Sequence, residues 1–363
     1  MFNSMPNPKK DIAIALSGGG FRAFMFHAGV FKFLAEKKLL SKINYVSTVS
    51  GGSLFVGLML SICDGKWPED AEYIDKILPR MKELLLKEDL YYGFTKRLVP
   101  GHWKHIFARP EKLMDEIRHK WKVTQKLSDL SANNPVWSIN MTTAETGKRF
   151  NFEIQKKKTI VGDYLIGYDD GSEFPLALAM SVSAAVPVYI GGYSFTYKKE
   201  PKGGKFRGTL PVRLRNSKTV TLYDGGLYDN LGLEPIYDSG KQEIKKSCNS
   251  NYIIVSDAGR PLLLSNYDSL SCGKKAMQII NILQEQSRAL RIRSFKSAII
   301  NEKINGSLIT ISDKRKKTMI DDDRSKIVSE YATDLSKVKF QDLELITNYG
   351  FDLAKENLNF PCM

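Results

Sequence analysis

Serine, carboxylate and clustered glycine are the residue types that move acyl groups through a covalent intermediate. This chain sets each of them where a strand meets a helix or turn. The run Tyr45-Val46-Ser47-Thr48-Val49-Ser50-Gly51-Gly52-Ser53 reads as a buried strand ending on a serine, with a helix beginning just beyond. A serine on such a sharp turn presents its hydroxyl outward, and small neighbours such as Gly51 and Gly52 avoid a clash beside strained backbone. The helix N-terminus also favours negative charge developing on the serine and on its acyl adduct. The bland alternative is that Ser50 only N-caps the helix, since serine is a preferred cap. Ser17 and Ser53 are rival nucleophiles, but neither closes a strand at a tight turn.

A second strand-to-helix turn reads Ser17-Gly18-Gly19-Gly20-Phe21-Arg22. Consecutive glycines let main-chain N–H groups converge on one anionic oxygen with no β-carbon in the way. In acyl transfer that oxygen is the tetrahedral oxyanion, and each donor is worth about 3 kcal/mol. A phosphate loop is the competing reading, but Phe21-Arg22-Ala23 follows the glycines where a Walker A loop needs Gly-Lys-Ser/Thr. The dinucleotide fingerprint G-x-G-x-x-G fails too, with Ala23 at its last glycine, while a purely structural turn stays open. Arg22 either fixes the loop or meets an anionic head group, with a solvated surface arginine as the plain alternative.

A serine hydroxyl needs a base. The histidines are His27, His102, His105 and His119, so the order serine, acid, histidine cannot be filled after Ser50 and a distant acid. His102 and His105, beside Trp103, read as surface or packing residues. A carboxylate fits better as the base. Asp224 ends the apolar run Val220–Tyr223 and is followed by Gly225 and Gly226. Asp-Gly is also a common turn pair, and Asp257, in Ser256-Asp257-Ala258-Gly259, competes on the same grounds.

The elements that must hold these groups are an alternation of strands and helices. Strand, turn, helix, strand, turn and helix within the first 63 residues predict a parallel α/β sheet, with catalytic groups gathered at strand ends on one sheet edge. The expected strands are 11–16, 45–49, 136–143, 149–154, 220–223, 252–256 and 308–311. The expected helices include 21–38, 54–63, 174–185 and 274–300. Residues 64–132 are rich in Lys, Glu and Leu, are broken by prolines, and read as a helical insertion. Residues 198–218 form a loop with eight basic side chains against Glu200 alone. We expect that loop to dock on an anionic membrane, with a solvated charged loop as the alternative. No linker argues for a second domain, so 11–357 reads as one.

The chain has 363 residues, 54 basic and 40 acidic side chains, and a net charge of +14. That surplus favours anionic partners, and the absence of zinc-finger spacing or an RNP-like motif makes nucleic acid the weaker choice. Cys63, Cys248, Cys272 and Cys362 form no disulfide or metal framework, which fits a reducing, cytoplasmic compartment. Met1–Lys10 has no apolar segment of signal-peptide type, and the longest apolar stretch, near Leu54–Cys63, is too short for a bilayer. A soluble or membrane-peripheral protein is expected.

Taken together, these elements resemble the patatin-like phospholipase family. Gly18-Gly19-Gly20-Phe21-Arg22 is similar to its oxyanion-hole motif, Val49-Ser50-Gly51-Gly52 to its nucleophile elbow, and Asp224-Gly225-Gly226 to its Asp-Gly-Ala/Gly motif. Ser181–Pro187 is similar to the Ser-Ala-x-x-Pro block between them. The family elbow usually reads Gly-x-Ser-x-Gly, and Thr48 here takes the first place. The resemblance implies a three-layer α/β/α fold with a mostly parallel central sheet and a Ser50–Asp224 dyad. It also implies acyl-lipid or glycerophospholipid substrates, and neither metal nor organic cofactor.

Overall fold

The computed structural model describes residues 12–90, 109–156, 158–187, 190–199, 201–204, 218–262, 266–312 and 320–358. Strand β1 (Ile12–Leu16) is buried along its whole length, as an unbroken apolar run must be when both faces of a sheet are covered. Its side chains divide between two cores. Ile12, Ile14 and Leu16 join Phe24 and Leu54 on one face; Ala13 and Ala15 join Phe295 and Ala298 on the other. The result is a three-layer α/β/α sandwich.

β1 lies between β2 (Ile43–Val49) and β12 (Tyr252–Asp257), with β3 (Val136–Thr143) beyond β2 and β13 (Asn305–Thr310) beyond β12. All of these pairings are parallel. Past β3 the sheet continues antiparallel through β4 (Arg149–Gln155), β5 (Lys158–Asp163), β6 (Gly167–Asp170) and β8 (Lys202–Gly203). β7 (Tyr193–Thr196) pairs antiparallel with β9 (Thr219–Asp224), and β10 (Tyr237–Asp238) with β11 (Glu243–Ile244) forms a separate two-stranded sheet. The sequence predicts the parallel strands and, in the antiparallel half, β4 and β9. β6 and β8 are short and polar, so they carry no alternation strong enough to read.

The helices are α1 (Gly20–Glu36), α2 (Gly51–Ile62), α3 (Leu78–Lys87), α4 (Arg109–Lys120), α5 (Leu176–Ser183), α6 (Gly226–Asp229), α7 (Cys272–Ile300), α8 (Ile320–Glu330) and α9 (Phe340–Asn357). α2 is buried at every position but Ile62, which marks a helix enclosed by the core rather than an amphipathic surface helix. α1 packs closely on α9, where the backbone at Gly29 meets Thr347 O and that at Gly350 meets Phe26 O. α3 and α4 fall within the expected helical insertion; its stretch 91–108, with His102 and His105, lies outside the described residues. So does most of the basic loop, at 200 and 205–217. Among the described residues no helix is long and apolar enough to cross a membrane.

Candidate active site

Ser50 and Asp224 meet because two strands share one lane of the sheet. On one side of β3, β4 pairs from Trp137 to Thr142. On the other side, β2 pairs up to Val49 opposite Asn140, and then β9 takes over with Asp224 opposite Met141. β9 runs against β2, so the two strands meet tip to tip. The sequence argument placed Asp224 at the carboxyl edge of a parallel strand. The structure brings it to that edge from the opposite direction, on an antiparallel strand lying beyond the end of β2.

The backbone at Ser50 has φ 50 and ψ −116, a conformation that L-residues avoid and that strained functional turns retain. Ser50 stands at the N-cap position of α2, yet its side chain makes no capping bond. The cap reading of this serine therefore does not describe its hydroxyl, which lies near enough to the Asp224 carboxylate to lower that group's pKa. Asp224 also accepts from Gly226 N–H at 2.7 Å, so the Asp-Gly turn and the reactive pairing coexist. Ser50 is 6% exposed and Asp224 4%. Burial pushes the Asp224 carboxyl up to about 6, against the lowering effects of the Gly226 N–H and the Ser50 hydroxyl.

The glycine loop closes over the same point. A β-carbon on Gly18 would lie 3.1 Å from Ser50 Cβ, and one on Gly51 would strike Gly20 O, so the loop and the elbow pack backbone to backbone. Gly19, at φ 142, holds a conformation open to glycine alone. Gly18 N–H donates to Asn230 O at 3.0 Å and Phe21 N–H to Asp334 O at 3.0 Å. Both donors are thus committed, which narrows the candidate oxyanion donors in this loop to Gly19 and Gly20. Arg22 is fully buried. Its guanidinium donates to Ala258 O (3.1 Å), Tyr331 O (2.6 Å) and Thr333 Oγ1 (2.7 Å), tying the loop to the C-terminal region. Of the alternatives for Arg22, the geometry is that of a residue fixing the loop. Burial, then the charge of Arg260, lowers its pKa to about 9, so it stays cationic at neutral pH.

The rival groups are engaged elsewhere. Asp257 is buried in an ion pair with Arg288 and accepts from Gly259 N–H. Ser17 Oγ accepts from Ala258 N–H, and Ser53 Oγ shares hydrogen bonds with Thr48 and Ser183. His27 contacts Ser256 Oγ and Ser17 O, and burial lowers its pKa to about 4. The exposed His119 contacts Asp115 O. Neither described histidine is placed as a base for Ser50.

Two supporting residues were given no role from the sequence, although Ser183 belongs to the Ser181–Pro187 block. Ser183 Oγ accepts from Ser50 N–H at 3.0 Å and donates to Asn140 O at 2.8 Å. The same segment receives Gly225 N–H on Ser183 O and Asp224 N–H on Ala185 O. One stretch of chain, the Ser-Ala-x-x-Pro block, thus clamps both tips of the shared lane. Asn140 Nδ2 donates to Ser47 Oγ and Thr48 O, holding the end of β2. An asparagine in the otherwise apolar or hydroxylated Val136–Thr143 was the available signal. Thr48 has a role as well: Trp137 Nε1 donates to its hydroxyl at 3.0 Å, so threonine is anchored where the family pattern has glycine. We expect Ser183→Ala to lower kcat on a soluble ester by roughly tenfold to a hundredfold with KM little changed. It should also cost about 1–3 kcal/mol of stability, since Ser50 N–H is left buried without its acceptor. Steady-state kinetics with a thermal melt check both.

A family model, patatin-like phospholipase, matches residues 14–237. The chain belongs to the patatin-like phospholipase family. The match spans the glycine loop, the elbow, the Ser181–Pro187 block and Asp224-Gly225-Gly226 of this patatin-like chain. A search of curated proteins finds no match. Among solved structures the fold is similar to that of human GIVD cytosolic phospholipase A2, with TM-score 0.57 and 12% identity over 98% of this chain and 62% of that one. The same human protein in complex with methyl gamma-linolenyl fluorophosphonate gives TM-score 0.54 and 13% identity, over 98% and 58%. At such identities the likeness is one of fold. This patatin-like chain spans about three-fifths of the length of those structures.

Proposed function

We propose that this protein is a lipid acyl hydrolase that cleaves fatty acyl esters of membrane glycerolipids through a Ser50–Asp224 dyad. The observation that carries the reading is the buried Ser50 hydroxyl facing the Asp224 carboxylate at a strained strand-to-helix turn, with the Gly19 and Gly20 amides alongside. Asp224 takes the Ser50 proton as Ser50 Oγ attacks the ester carbonyl. The N–H groups of Gly19 and Gly20 hold the developing oxyanion, helped by the N-terminus of α2. The lysolipid alcohol leaves with the proton from Asp224. Water, activated by Asp224, then cleaves the acyl-enzyme and releases a fatty acid. The phospholipase family and the lipid-analogue complex of the human structural neighbour support an acyl-lipid substrate. The net charge of +14 supports peripheral binding to anionic membranes.

The test is fatty acid release from mixed phospholipid vesicles, with and without an added acceptor alcohol. Free fatty acid in both arms is expected. Transfer of most of the acyl chain to the alcohol would make the protein a transacylase, and no product in either arm would end the reading.

Asp224 works as a base only when ionised. With its carboxyl pushed up to about 6, kcat/KM on a soluble ester should fall about tenfold per pH unit below pH 6 and level off above pH 7. A pH-rate profile that stays flat down to pH 4 would contradict this.

A further inference from the structure

Helix α7 is longer than the strands it connects. Its 29 residues extend about 44 Å, whereas β12 and β13 have 6 residues each and extend about 20 Å. Arg288 fixes its position against the sheet, paired with Asp257 at the end of β12. C-terminal to Arg288 the helix lies on the sheet, with Phe295 and Ala298 in the core. N-terminal to it, over residues 272–287, only Met277 is buried. That half is about 24 Å long.

The N-terminal half carries its apolar side chains outward. Ile279 is 50% exposed, Ile282 39% and Leu283 65%, and Leu290, further along the same face, is 61% exposed. These positions recur at helical spacing, so they form one stripe. Around them α7 carries Lys274, Lys275, Arg293 and Lys296, while Arg288 and Arg291 are paired inward with Asp257 and Asp229, and its single acid, Glu285, is paired to Arg288. An apolar stripe bordered by cations matches an anionic lipid surface. The same charge excess disfavours pairing of two copies through this face. The helix adjoins the site through its opposite, inward face. Arg291 is ion-paired to Asp229 of α6, and Gln284, next to Leu283, reaches within 3.3 Å of where a β-carbon of Gly226 would stand.

We propose that this face of α7, at Ile279, Ile282, Leu283 and Leu290, docks the protein on an anionic phospholipid bilayer, with the Ser50–Asp224 edge on the other side of the same helix. The proposal rests on the lipid acyl hydrolase reading for what lies at that edge.

The test uses the full chain in a Ser50→Ala background, so that vesicles are not consumed. Binding is read by co-sedimentation with phosphatidylcholine vesicles, with and without phosphatidylserine. The parent should bind the anionic vesicles, and Ile279→Asp with Leu283→Asp should weaken that binding at least about tenfold. Lys274→Glu with Lys275→Glu should weaken it as well. Lys37→Glu with Lys38→Glu, the same charge change at the far end of α1, should matter much less. Since Ile279 and Leu283 are half or more exposed, melting temperatures near the parent's are expected. Parental binding by the Asp pair, or equal loss from the Lys37 and Lys38 pair, would overturn the assignment to α7. So would a dimer in light scattering that Leu283→Asp dissociates. Because binding needs no turnover, docking without fatty acid release in the wild type would defeat only the hydrolase reading. Release with normal binding by the Asp pair would defeat only the docking face.

Discussion

Replacing Asp224 by Asn is expected to abolish turnover and, at the same time, make the protein more stable at neutral pH. The activity loss should be on the order of a thousandfold or more, because an amide cannot accept the Ser50 proton. The stability gain follows from linkage. Burial raises the folded-state pKa of Asp224 from 3.8 to about 6, so folding favours the neutral carboxyl. Its favourable contribution is complete below about pH 4 and is lost as pH rises through about 6. At pH 7.5 the ionised group then costs about two pH units at about 1.4 kcal/mol each, or about 3 kcal/mol. Asn removes that cost while its carbonyl can still accept from Gly226 N–H. With about 2.1 cal/mol/K of unfolding entropy per residue, Tm should rise by about 4 °C at pH 7.5. The difference should vanish below about pH 3, where the wild-type carboxyl is protonated in both states. Calorimetric scans at the two pH values check it; a lower Tm for Asp224→Asn at pH 7.5 would contradict the account.

The second large effect separates chemistry from backbone strain at Ser50. Ser50→Ala and Ser50→Gly both remove the nucleophile, and each should lose activity on the order of a thousandfold or more. Their stabilities should differ. Alanine keeps the penalty of φ 50, ψ −116, which is about 1–3 kcal/mol, whereas glycine relieves it. Glycine's greater freedom in the unfolded chain returns about 0.5–1 kcal/mol of that gain. The net expectation is a Ser50→Gly protein about 1 kcal/mol more stable than Ser50→Ala, measured by denaturant titration. Equal midpoints would mean that the elbow stores no strain.

Much of the parallel half of this fold was readable because its strands are short apolar runs punctuated by glycine. Ile12–Leu16 followed by Ser17–Gly20, and Tyr45–Val49 followed by Ser50–Gly52, leave few other readings. The candidate site residues were legible for the same reason: each sits at a punctuation mark. What could not be read was how Asp224 arrives. Nothing local to 219–224 says that β9 runs antiparallel in the lane vacated by β2, since that depends on the register against β3. The clamp by Ser183 was hidden for a similar reason. Its partners are Ser50 N–H and Asn140 O, and no periodicity links positions so far apart. The outward-facing stripe of α7 was masked by its own composition. Nothing local to Ile279, Ile282 and Leu283 distinguishes them from core residues of a long helix, and only the mismatch between helix and strand lengths accounts for their exposure.

The most direct test of the Ser50–Asp224 centre is site mapping of a fluorophosphonate adduct by peptide mass spectrometry. The wild type should carry one adduct, on Ser50, formed at least about a hundred times faster than in Asp224→Asn. An adduct on another serine, or labelling of Asp224→Asn at the wild-type rate, would contradict the account.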